Sequence, residues 1–134
     1  METIRTVYLG ELRTEALHVK SGQKIITDAP VDNQGKGEAF SPTDLLCASL
    51  GSCMMTLMGI AAKTHQINID GCAMKITKIM VANPRRVSEV VIEIDLIKKN
   101  YSEKEKSILE RAALTCPVAI SLSPELKQTV SFKY

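Results

Sequence analysis

The chain opens on a mixed run of β-forming residues, Thr3 to Val19, with polar and apolar side chains interleaved. Lys20-Ser21-Gly22-Gln23 reads as a turn and Lys24 to Thr27 as a further strand, so a small antiparallel meander is expected. Asp28 to Ala39 holds Pro30, Asn33, Gly35 and Gly37 and reads as a loop. The pattern then turns helical. Ser41 is an N-cap candidate, Pro42 takes the first helical position, and Asp44 closes a capping box. The spacing predicts a helix to about Thr64, on the order of 30 Å long. Leu46, Leu50, Cys53, Leu57 and Ile60 share one continuous face of it.

Leu45 to Ala62 carries no charge, so a membrane span has to be weighed. The stretch is at the lower edge of the needed length and contains Ser49, Gly51, Ser52, Thr56 and Gly59. Sheet-like segments surround it and no aromatic belt flanks it. A helix buried in a core or a dimer interface explains the pattern more simply.

Ala73 to Val81 and Val87 to Ile97 read as two strands joined through Asn83-Pro84-Arg85-Arg86. In the second, Val90, Ile92, Ile94 and Leu96 share one face, with Glu93 and Asp95 on the other. Ser102 to Glu105 is another capping box and opens a helix to about Thr115. Ile108, Ala112 and Cys116 are spaced by four, and Pro117 opens a short turn that Cys116 would cap. Lys127 to Lys133 forms a last strand. The order implies one α+β domain over residues 1–134, with helices packed on antiparallel sheet.

Composition narrows the function classes. The net charge of +2 is too small to mark a nucleic-acid or membrane-surface binder. Aromatic residues make up 4% and Trp is absent, so no base-stacking platform is expected. The four Cys and six Met are what invite chemistry. The N-terminus shows no charged leader followed by an apolar run, so a cytoplasmic setting with reduced thiols is expected. There is no CxxC, and His18 and His65 stand at no ligand spacing, so no metal or bound cofactor is expected.

Cys53 has two readings. As a small hydrophobe on an apolar helix face it is ordinary, and composition alone favours that. As a reactive thiolate it would need a cation, because it lies three turns from the helix start. Arg13, Lys36, Arg85, Arg86 or a partner subunit could supply one. Cys116 has the better local case, since a thiol at the start of a helical turn faces free backbone N–H groups. On local physics alone it is the more acidic of the two. Cys47 projects from another side of the helix than Cys53, and Cys72 lacks an activating context, so both read as structural. Met54, Met55 and Met58 read as core, and Glu38 as a solvated loop charge.

The segment Ser41-Pro42-Thr43-Asp44-Leu45-Leu46-Cys47-Ala48-Ser49-Leu50-Gly51-Ser52-Cys53 resembles the signature of the OsmC/Ohr family. Ala113-Leu114-Thr115-Cys116-Pro117-Val118 resembles that family's second motif, a Cys-Pro pair opening a short helix. The resemblance implies an intertwined homodimer whose long central helices are packed by antiparallel sheets, with active sites at the subunit interface. It implies a thiol peroxidase for small apolar organic hydroperoxides, with Cys53 attacking, Cys116 resolving and an external dithiol as reductant. Arg13, Glu38 and Asp44 are the residues assigned to activation. The family pattern has a Glu ten positions before the first Cys; here that position is Thr43, with the acid at Asp44. Two other readings stand beside this one. One is a stress-associated protein that holds an apolar ligand, with little or no peroxidase activity. The other is a structural domain whose thiols are core filler.

Overall fold

In the computed structural model, which describes residues 1–97 and 100–134, the expected meander forms from β1 (Ile4–Gly10), β2 (Arg13–His18) and β3 (Lys24–Asp28). Its strand order is β1-β2-β3 and both pairings are antiparallel. The first turn is two residues, Glu11 and Leu12, both at positive φ (54° and 60°). Right-twisted hairpins demand that conformation, which Asn and Gly reach more easily. Glu-Leu carries no such signal, which is why Thr3 to Val19 reads as one run. The loop after β3 contains a single 3-10 turn, Val31–Asn33.

Met1–Leu46 forms one compact unit and Cys47–Tyr134 a second. No apolar side chain of the first unit is buried, its only buried residues being Thr27, Asp28 and Ser41. Ile4, Val7, Leu9 and Ile25 all stand exposed.

The long helix α1 (Pro42–Thr64) has the expected bounds. The Asp44 N–H donates to Ser41 Oγ, and the Ser41 N–H donates back to Asp44 Oδ2, each at 3.0 Å. By length and composition alone α1 could cross a membrane. Within the second unit, however, one stripe of it is buried: Cys47, Leu50, Gly51, Met54, Met58 and Ala62. The expected face is thus shifted. Leu50 is on both, but Leu46, Cys53 and Leu57 are only half-buried and Ile60 is exposed. A helix apolar nearly all round does not reveal from its own sequence which side meets the core. Gly51 gives the reason for this side. A Cβ there would lie 2.4 Å from Ile76 Cδ1 and 2.7 Å from Met74 Sδ, so the ends of those two side chains pack directly on the helix backbone and would have to shift to admit one.

The second sheet has the order β4-β5-β6, with β4 (Ala73–Val81), β5 (Arg86–Asp95) and β6 (Lys127–Lys133). The Asn83–Pro84 peptide in the β4–β5 turn is cis. Val90, Ile92, Ile94 and Leu96 are buried together, as their alternation predicts. One pairing departs from expectation: β6 runs parallel to β5. Between them the chain crosses back through α2 (Glu103–Leu114) and α3 (Pro117–Ser121), the kind of long connection a parallel pair needs. The Ser102–Glu105 capping box is complete. The buried stripe of α2 is Leu109 and Ala113, one position off the expected Ile108 and Ala112, and Cys116 continues it.

Candidate active site

Cys53 lies three turns into α1 and is half-buried. Cys116 is wholly buried at the N-cap of α3, where its Sγ accepts the Ala119 N–H at 3.4 Å. The Cys53 side chain lies close enough to Cys116 to raise its thiol, and both thiols are free. Two sulfurs more than sixty positions apart in sequence therefore meet inside the second unit.

The expectation that local physics makes Cys116 readily ionised is overturned. Burial has the largest effect on this thiol and pushes it up. The Ala119 N–H pulls the other way, the Cys53 side chain adds to the rise, and the Val118 N–H offsets a little. α3 is a five-residue helix, so its dipole has little to set against desolvation. Cys116 is thus held as a neutral thiol near neutral pH.

The remaining cysteines are placed as expected. Cys47 is buried in the core stripe. Cys72 donates to Met55 Sδ at 3.3 Å, and burial followed by the charge of Asp95 pushes its thiol up. Met54 and Met58 are core, and His18 and His65 are exposed.

A second cluster lies in the first unit. Arg13 Nε donates to Asp28 Oδ1 at 2.7 Å and Nη2 to Asp28 Oδ2 at 2.8 Å, a side-on bidentate pair. Nη2 also donates to Glu38 Oε1 at 3.0 Å, and the Glu38 N–H donates to Asp28 Oδ2 at 3.1 Å. The Asp28 side chain is 0% exposed, that of Arg13 30% and that of Glu38 65%. Glu38 is thus the solvated loop charge expected of it, and it is paired with Arg13 as well. The Arg13 fork holds the Asp28 carboxyl below its ordinary value, against the effect of burial. Asp28 raises Arg13 in turn. A carboxyl lowered on folding stabilises the fold at neutral pH, and that stabilisation is lost as pH falls through the lowered value. At neutral pH the clamp is closed.

The sequence points to Arg13 and Glu38 and reads Asp28 as the start of a loop, whereas Asp28 ends β3. A signal existed. Folding β3 back on β2 about the Lys20–Gln23 turn pairs Leu17 with Lys24 and, at the far end, Arg13 with Asp28. Asp44, also assigned to activation, is engaged in the α1 cap, where Thr43 Oγ1 lies 3.1 Å from Ser41 Oγ.

Two small sheets with one long helix, and a Cys pair contributed by that helix and a later Cys-Pro turn, define an α+β class with solved members. Over residues 35–131 the chain matches the profile of the family described as OsmC-like protein. A structure from Psychrobacter arcticus, of a candidate osmotic stress induced and detoxification response protein, is 53% identical. It superposes with a TM-score of 0.94, over 98% of this chain and 96% of that one. This chain belongs to the OsmC-like family.

Two more distant structures share the fold. One is an organic hydroperoxide resistance protein OsmC from Legionella pneumophila, 16% identical, with a TM-score of 0.76 over 100% of this chain and 98% of that one. The other is a candidate organic hydroperoxide resistance protein from Vibrio cholerae with captopril in one of its active sites. It is 12% identical, with a TM-score of 0.75 over 98% of this chain and 92% of that one. Among curated proteins no significant match is found.

Proposed function

We propose that this protein reduces organic hydroperoxides through a Cys53–Cys116 thiol cycle. The observation that carries the reading is the contact between a half-buried and a fully buried thiol. The Cys53 thiolate attacks the terminal peroxide oxygen. The O–O bond breaks, the alcohol leaves with a proton, and Cys53 becomes a sulfenic acid. Cys116 then attacks the Cys53 sulfur, water leaves, and a disulfide forms. An external dithiol returns both sulfurs to thiols with two electrons and two protons. The names of the Legionella and Vibrio structures, which concern hydroperoxide resistance, support the same chemistry.

A second copy of the chain completes the site in this reading. The first unit buries no apolar side chain, and Ile4, Val7, Leu9 and Ile25 offer an apolar surface for a homodimer. Arg13 of the second copy supplies the cation that Cys53 needs to ionise. Such an enzyme works in the cytoplasm, where dithiol reductants are at hand.

The test is one equivalent of cumene hydroperoxide added to the reduced protein. Rapid loss of two free thiols is expected, with a Cys53–Cys116 disulfide found by peptide mapping. Intact thiols and unconsumed hydroperoxide would overturn the proposal. A stable complex with an apolar ligand in native mass spectra would then favour the ligand-holding reading.

A further inference from the structure

Helix α2 carries charges that its own fold does not use. Its acidic residues are all engaged: Glu103 with Lys106, Glu105 in the capping box and Glu110 with Tyr134. The side chains of Lys104 and Arg111 have neither an ion-pair nor a hydrogen-bond partner among the described residues. Arg111, in the last turn, suits the helix dipole, but Lys104, in the first turn, opposes it. Both line one open groove of about 500 Å³ within the second unit, with His65, just past the end of α1, on its other side. Among the described residues no Asp or Glu lines this groove.

Lys104, Ser107, Ile108, Arg111 and Ala112 fall at i, i+3, i+4, i+7 and i+8, which is one face of the helix. That face also accounts for Ile108 and Ala112. Their spacing marks them for the core, yet the core takes Leu109 and Ala113 and leaves these two half-buried in the groove. The two cations stand two helical turns apart, about 10 Å along the axis. Ile108 lies between them and Ala112 beside the second. The Thr115 hydroxyl at the end of the groove donates to the Arg111 carbonyl at 2.7 Å, whereas that of Ser107 has no partner among the described residues.

A single small anion meets one charge of this groove. A molecule with two anionic heads on an apolar chain meets both and lays its chain on Ile108. The planar Arg111 guanidinium matches a carboxylate through two parallel N–H bonds. Lys104 supplies a point charge for the other head, with Ser107 and His65 as further donors. We propose that this groove binds a linear dicarboxylate of medium chain length, with Arg111 holding one carboxylate and Lys104 the other. The site is separate from the Cys53–Cys116 pair and does not rest on the hydroperoxide reading.

The test is calorimetric titration of the full chain with suberate, succinate and octanoate at constant ionic strength. Suberate carries two heads on a chain of the required span. Succinate has both heads on too short a chain, and octanoate keeps the chain with one head. Suberate is expected to saturate a single site per chain. Succinate and octanoate are expected to bind at least about tenfold more weakly, since each forgoes a charge-assisted pair. Arg111→Gln and Lys104→Gln, both at exposed positions, are each expected to weaken suberate binding at least about tenfold. Lys127→Gln, which removes an exposed charge of β6 outside the groove, is expected to leave it unchanged. Absence of saturable suberate binding overturns the proposal, and is the result to be found if a second copy of the chain covers this face. Equal affinity for all the probes, or an equal loss in Lys127→Gln protein, would reduce the binding to general charge attraction and overturn the proposal as well.

Discussion

Cys53→Ser protein is expected to consume no organic hydroperoxide, a loss of at least about a thousandfold. A serine hydroxyl at this position has no base beside it and no accessible oxidation state, so the first step has no nucleophile. Cys116→Ser should behave differently. Its Cys53 still attacks, one hydroperoxide is consumed per chain, and the sulfenic acid then waits unresolved. With excess hydroperoxide it proceeds to sulfinic acid, visible as a gain of two oxygen atoms on the Cys53 peptide. Consumption assays and intact mass together decide the matter. Full turnover in Cys53→Ser protein would remove Cys53 from the chemistry and leave the thiol contact as packing. Multiple turnovers in Cys116→Ser protein, with Cys53 not overoxidised, would remove the resolving role.

The largest effect on stability is expected from Ile92→Ala. Ile92 is 0% exposed in β5, which lies between β4 and β6. It faces Ile76 across the antiparallel pair and Val130 across the parallel one. Deleting three carbons there removes transfer free energy and leaves a cavity that two flanking strands cannot easily collapse. The expected loss is about 2–5 kcal/mol, a large share of the total stability of a small domain. Urea midpoints at constant protein concentration measure it. The neighbouring Glu93→Ala, on the exposed side of the same strand, should change stability by less than about 0.5 kcal/mol. A loss under about 1 kcal/mol for Ile92→Ala would mean that this strand is not the centre of the core.

Signals that act within a few residues were legible in the sequence. Both capping boxes form as read, because the bonds run between residues three apart. The alternation of Val90, Ile92, Ile94 and Leu96 translates directly into a buried strand face. The buried face of α1 was not legible, since nearly every side of that helix is apolar; the buried side is the one where Gly51 meets Ile76 and Met74. Nor was the parallel alignment of β6, which depends on where a crossover of helices returns the chain. At the site, the meeting of Cys53 and Cys116 came from motif resemblance rather than from any spacing. Helix position is visible in sequence and burial is not, so the helix start at Cys116 hides the desolvation that raises its thiol. Asp28 was missed because its partner sits across a strand ladder and its burial comes from the loop folded over it.

In the proposed cycle the sulfur of Cys116 serves two partners, the Ala119 amide and the Cys53 sulfur. In the reduced chain it accepts the Ala119 N–H and so ties down the first turn of α3. A covalent bond to Cys53 would draw that sulfur away from the amide. Redox state and local order of Pro117–Ser121 are then coupled, and whatever free energy the cap contributes favours the dithiol form. Amide exchange at Ala119 should accordingly quicken when the protein is oxidised and slow again when dithiol is restored. Through one atom, the short helix becomes a reporter of how many electrons the thiol pair holds.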